Sequence, residues 1–109
     1  MSTVSTHVLN TAIGKPAAGI SVVLEAGDRE GRWKQVGNGV TGSDGRITTF
    51  SKDEAALQPG VYRLKFDTSV LQPAFYPEIA VTFRIDDAAQ HYHVPLLLSP
   101  FGYSTYRGS

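Results

Sequence analysis

The sequence predicts an all-β protein, an eight-stranded antiparallel β-sandwich of two sheets. Two observations carry the prediction. Apolar residues recur with period two in several short runs, and turn residues punctuate those runs about every eight to twelve positions. At 109 residues the chain is read as one domain covering 1–109, long enough for a single modest core and too short for two.

The first strand is expected in "STHVLN", which carries His7, and Gly14, Lys15 and Pro16 interrupt the pattern after it. In "ISVVLEA", Ile20, Val22 and Leu24 share one face while Ser21 and Glu25 fall on the other. The turn "GDREG" separates the next pair of strands, and "GSDG" (42–45) the pair after that, with Arg46 opening "RITTF". In "SKDE", Ser51 and Glu54 have capping-box spacing ahead of Ala55, Ala56 and Leu57, so a short helix competes with a loop until Pro59 and Gly60 end it. "VYRLKFD" alternates Tyr62, Leu64 and Phe66 with Arg63, Lys65 and Asp67, and "IAVTFRID" alternates Ile79, Val81, Phe83 and Ile85 with Thr82, Arg84 and Asp86. Such alternation marks strands with one buried and one solvated face. Between these two strands, "TSVLQPAFYPE" contains Pro73 and Pro77 and is not expected to be a strand throughout. "DDAAQ" (86–90) then separates two late strands, the second within "HYHVPLLLS".

Composition removes several function classes. Lysine plus arginine equals aspartate plus glutamate at ten each, so no net field draws the chain to nucleic acid or anionic membrane. With no cysteine there is no disulfide framework, thiolate zinc site or thiol nucleophile. The start "MSTVSTHVLN" lacks the basic and apolar segments of a secretory signal, and no apolar stretch reaches membrane-spanning length. The expected location is the cytoplasm, an expectation that would not hold for a chain whose leader had been removed. No nucleophile elbow, phosphate-binding glycine loop or H-E-x-x-H motif is present.

The chain has three histidines, His7, His91 and His93. His91 and His93 lie two apart on an extended segment, so their side chains share a face. Imidazole exchanges protons near neutral pH. The pair could also offer zinc two ligands, but a third would have to come from His7 or a carboxylate. The favoured reading is that one of the two works in a site while the other supports it or faces solvent. Arg46 is either a solvated strand-edge residue or, aimed at a site, a planar fork of donors for a ring carbonyl. Local sequence leaves that choice open. The tail "YRGS" (106–109) ends the chain with a phenol, a guanidinium, a glycine and a hydroxyl.

Taken together, "HVLNTAIGKPAAGISVVL" and "HYHVPLLLSPFGYSTYRGS" resemble the two signatures of the transthyretin-like family, and specifically its enzyme branch, the 5-hydroxyisourate hydrolases. "TGSDGRI", "PGVYRLKFDT" and "FYPEIAVTF" resemble the strands between them. The resemblance spans nearly the whole chain. It implies a sandwich that pairs edge to edge into dimers and then into a homotetramer, with sites in the channel between dimers. It also implies hydrolytic opening of the 5-hydroxyisourate ring in urate catabolism, with no cofactor and no metal. The residues that carry over as catalytic are His7, Arg46, His93 and Ser109, with Tyr106, Arg107 and Gly108 lining the substrate site. Which histidine activates water stays undecided. Ser109 and its carboxylate would orient the water or a histidine, and Arg107 would lock the tail by pairing with a carboxylate. The alternative is a non-catalytic carrier of an aromatic ligand, as in the hormone-carrying branch, which lacks the leading histidine and the Y-R-G-S ending. One departure is the short "SVLQPA" between "KFDT" and "FYPEI", which implies that the family's helix is shortened or absent.

Overall fold

A computed structural model of the chain describes residues 3–50, 57–71 and 74–108. Its strands are β1 (Thr3–Asn10), β2 (Lys15–Pro16), β3 (Ser21–Gly27), β4 (Trp33–Val40), β5 (Arg46–Ile47), β6 (Gly60–Asp67), β7 (Glu78–Ile85), β8 (His91–His93), β9 (Leu96–Ser99) and β10 (Gly102–Thr105). They form two sheets. One runs β10-β9-β1-β2, with β5 and β8 also paired to β1, and the other runs β4-β3-β6-β7.

Period-two alternation builds the core between these sheets. Val22 and Leu24 on β3, Leu64 and Phe66 on β6, and Ile79 and Ile85 on β7 are all buried. They face Val4 and Val8 of β1, Ile47 of β5, and Leu96 and Leu98 of β9, which belong to the same apolar cluster. Each such side chain contributes roughly 1.5–3 kcal/mol on burial. The intervening residues Ser21, Asp67, Glu78 and Thr82 are exposed, as the alternation requires.

The second sheet is antiparallel throughout, with β3 between β4 and β6 and with β7 on the far side of β6. The first sheet departs from the expectation of a wholly antiparallel sandwich, because β1 runs parallel to both β8 and β9. Most of the chain lies between these partners, so no tight turn dictates their direction. The described residues also give ten strand segments instead of eight. Val94 and Pro95 divide the last long run into β8 and β9, and Pro95 has no N–H to give a ladder. Lys15 and Pro16, expected to interrupt the pattern, form the two-residue β2 against Asn10 and Leu9.

Among the described residues there is no helix. The capping-box segment 51–56 lies outside them, and its neighbour Leu57 is buried in the core. Residues 68–71 and 74–77 are irregular, in keeping with a helix that is shortened or absent there.

The turn before β5 decides where Arg46 points. Asp44 Oδ1 accepts the Arg46 N–H at 3.0 Å, Gly42 N–H donates to the Arg46 carbonyl at 3.1 Å, and Val8 N–H donates to the Gly45 carbonyl at 2.8 Å. Gly45 has φ of 76°, and a Cβ there would lie 2.5 Å from the Val8 carbonyl oxygen. Both the left-handed backbone and the close approach require glycine. Gly45→Ala is therefore expected to cost on the order of 1–3 kcal/mol and to lower the melting temperature by roughly 5–15 °C. An unchanged thermal melt would contradict this account of the turn.

Candidate active site

Strand β1 is the spine of the site. Its residues Val4, Thr6 and Val8 point into the core, so Thr3, Ser5 and His7 occupy the opposite, outer face. Thr6 is held inward by its hydroxyl, which donates to the Val94 carbonyl at 2.6 Å. On β8 the buried residue is Tyr92, which puts His91 and His93 on the outer face. The Tyr92 hydroxyl accepts the N–H groups of Asp86 and Asp87 at 3.1 and 3.0 Å, and so pins the loop that leads into β8. On β5, Ile47 is buried and Arg46 is outward.

Strand register then brings the outward residues together. His7 lies directly opposite Arg46 in the antiparallel pairing of β1 with β5, a position that places Cβ atoms about 4.5–5.5 Å apart. Ser5 lies opposite His93 in the parallel pairing of β1 with β8. Ser5, Arg46, Thr48, His91 and His93 line an open cleft of about 230 Å³. Residues 7, 46 and 93, read from three separated parts of the sequence, thus share one face through a single strand.

The chemistry of the face is polar and cationic. Ser5 Oγ is within hydrogen-bond distance of His93 Nδ1 at 2.7 Å and of His91 Nε2 at 2.8 Å. Burial holds the His93 imidazole below the ordinary histidine value, and Arg46, His91 and His7 push it the same way. A neutral imidazole at neutral pH is an acceptor of protons. The Arg46 guanidinium has no ion-pair partner among the described residues, so its donors are open to a ligand.

The tail meets this site at one residue. Gly108 N–H donates to the His93 carbonyl at 2.8 Å and forms an isolated bridge with that residue. A Cβ at position 108 would lie 2.5 Å from His93 Cδ2, so glycine lets the tail lie flat on the imidazole. Tyr106 and Arg107 are not brought to the histidine cleft. They line a neighbouring groove of about 170 Å³ with Val81, Phe83, Arg84 and Tyr92. Arg107 was expected to pair with a carboxylate; instead its Nη2 donates to Gln90 Oε1 at 2.8 Å and its guanidinium lies 4.5 Å from the Tyr92 ring centre. The cation–π contact on a residue that anchors β8 explains the preference. Ser109 lies outside the described residues.

Sequence reasoning singled out neither Ser5 nor Thr48. Ser5 stands two residues before His7 on the same strand, so period two alone would have placed it beside that histidine. Thr48 carried no such signal, because β5 is only two residues long. Among the described residues no cluster of three or more His, Cys, Asp or Glu side chains offers a metal its ligands.

The sequence matches the HIUase/Transthyretin family over residues 4–108. The chain belongs to that family. It is 49% identical over 110 residues to a 5-hydroxyisourate hydrolase of Salmonella dublin, covering 96% of this chain and 79% of the relative. The fold superposes on the structure of Klebsiella pneumoniae 5-hydroxyisourate hydrolase with a TM-score of 0.81 at 39% identity, over 100% of both chains. Sea bream transthyretin in complex with thyroxine gives a TM-score of 0.87 at 29% identity, covering 97% of this chain and 94% of that one.

Proposed function

We propose that the protein is a 5-hydroxyisourate hydrolase of urate catabolism, opening the six-membered ring by adding water and breaking a C–N bond. The product is 2-oxo-4-hydroxy-4-carboxy-5-ureidoimidazoline. The observation that supports this reading most is the placement of His7 and Arg46 opposite each other on the face that also holds His93.

His93 takes the role of general base. Burial first, and then Arg46, His91 and His7, push its imidazole below the ordinary histidine value, and among the described residues its Nε2 makes no hydrogen bond. A water proton passes to Nε2 as the water oxygen attacks the ring carbonyl. Arg46 stabilises the charge that grows on the carbonyl oxygen, an effect realised in the transition state. As the C–N bond breaks, a proton returns to the leaving nitrogen from His93 or from His7. The role expected of Ser109, orienting water or a histidine, remains part of this proposal.

The sites would lie between copies in a homotetramer, a dimer of dimers. Two features support that assembly: β7 and β10 are edge strands of their sheets, and the cleft is open on the single chain.

Following the absorbance of freshly generated 5-hydroxyisourate with and without protein tests the activity. A carrier, the reading favoured by the likeness to transthyretin, would leave the decay at its spontaneous rate. Gly108→Ala is a second test. It is expected to move the His93 ring or lift the tail and to slow hydrolysis by about tenfold to a hundredfold, with little loss of stability in so peripheral a residue. A wild-type rate would contradict the packing of the tail on His93.

A further inference from the structure

The Ser5 hydroxyl sits between two imidazoles. It is buried, and it reaches His93 Nδ1 at 2.7 Å and His91 Nε2 at 2.8 Å. The other nitrogen of His91, Nδ1, meets Thr3 Oγ1. These contacts make one unbranched chain: Thr3, His91, Ser5, His93. The hydrolysis described above uses only the last member. We propose that Ser5 and His91 are positioning residues that fix the tautomer of His93 and leave its Nε2 as the free lone pair. The proposal rests on the reading of His93 as the general base.

The argument is a count of protons. A hydroxyl has one proton to donate and lone pairs to accept with. Ser5 therefore cannot donate to both rings, and at least one of the two facing nitrogens must itself be N–H. A base needs Nε2 of His93 bare, so neutral His93 carries its proton on Nδ1 and donates it to Ser5 Oγ. The Ser5 proton then goes to His91 Nε2. His91 in turn is N–H at Nδ1 and donates to Thr3 Oγ1. Every contact of the chain is satisfied in this direction.

The reverse direction satisfies the same contacts but leaves His93 protonated on Nε2, where it can accept nothing. With the chain set in the first direction, the bare His91 Nε2 holds the hydroxyl proton away from His93, so the two rings and the hydroxyl between them can reverse only together. When His93 takes a proton from water at Nε2, its Nδ1–H stays on Ser5 and the chain has no need to rearrange. The other groups that face His93 are His7 on β1, Arg46 on β5 and the Gly108 backbone of the tail. Among them only Gly108 is hydrogen-bonded to His93, and that bond goes to its backbone carbonyl. No other side chain among the described residues bonds the His93 ring.

The test is nitrogen NMR of the intact protein with ¹⁵N-labelled histidine rings, read beside the pH dependence of kcat. In the wild-type protein His93 is expected to show an N–H signature at Nδ1 and a bare Nε2. Ser5→Ala and His91→Ala should both move His93 toward the opposite tautomer. In both, kcat should fall by about tenfold to a hundredfold, a fraction of the usual acid–base contribution, with KM changed much less. Ser5→Thr keeps the hydroxyl and should restore both readouts. A His93 nitrogen pattern that is the same in wild type, Ser5→Ala and His91→Ala would overturn the proposal. If the wild-type protein shows the expected nitrogen pattern but does not hydrolyse 5-hydroxyisourate, the reading of His93 as base fails while the tautomer chain stands.

Discussion

Replacing His93 by glutamine is expected to lower kcat/KM for 5-hydroxyisourate by about 10²–10⁴-fold, the usual range for general acid–base catalysis. Glutamine keeps a polar side chain beside Ser5 but cannot accept and return a proton. Stability should change little, since His93 is only partly buried. The pH dependence gives a second signature. With His93 as the proposed base its free form would be the active one, and the His93 value is lowered by burial first and by Arg46, His91 and His7 after it. Activity should therefore hold as pH falls through the ordinary histidine value of about 6.5 and decline only below it. The variant should lose that acid limb. A wild-type rate in His93→Gln, or an acid limb centred above the ordinary value, would remove His93 from the role of base.

Arg46→Ala is expected to reduce kcat by about 10²–10³-fold, as loss of one oxyanion donor does elsewhere. The expectation follows from a guanidinium that faces His7 across two strands and has no ion-pair partner among the described residues. Arg46→Lys should recover little of the loss, because an ammonium offers a point charge where the guanidinium offers a planar fork. Losing Arg46 also removes the fixed charge that helps to depress His93. The acid limb of the remaining activity should therefore move toward higher pH, which separates a local electrostatic change from general damage. Full activity in Arg46→Ala would contradict the assigned role.

The sandwich was largely legible in the sequence because β3, β6 and β7 of its second sheet follow alternation closely. Leu24, Leu64 and Ile79 bury while Ser21, Lys65 and Glu78 face outward or lie at the surface, and period two encodes that directly. The parallel pairing of β1 with β8 and β9 was not legible, since partners so far apart in sequence leave no local mark. The site was legible in part. His7, Arg46 and His93 entered through their match to family signatures, and register explains why they meet. Ser5 was hidden for a physical reason. A serine on a strand is chemically ordinary until a second strand brings imidazoles to its hydroxyl. The tail divides in the same way. Gly108 touches the site because only a residue without a side chain can lie on the His93 ring. Arg107 leaves it because Tyr92 and Gln90 offer the guanidinium a ring face and an amide oxygen nearby.

The central claim is that the outer face of the first sheet, carrying His7, Arg46 and His93, hydrolyses 5-hydroxyisourate. The most direct measurement compares the initial rate of substrate loss for the wild-type protein with that for His7→Ala/Arg46→Ala/His93→Ala, after circular dichroism and thermal melting confirm that both are folded. The account predicts strong acceleration by the wild type and decay at the spontaneous rate with the triple variant. A folded triple variant that still accelerates the reaction, or a wild type that does not, would contradict it.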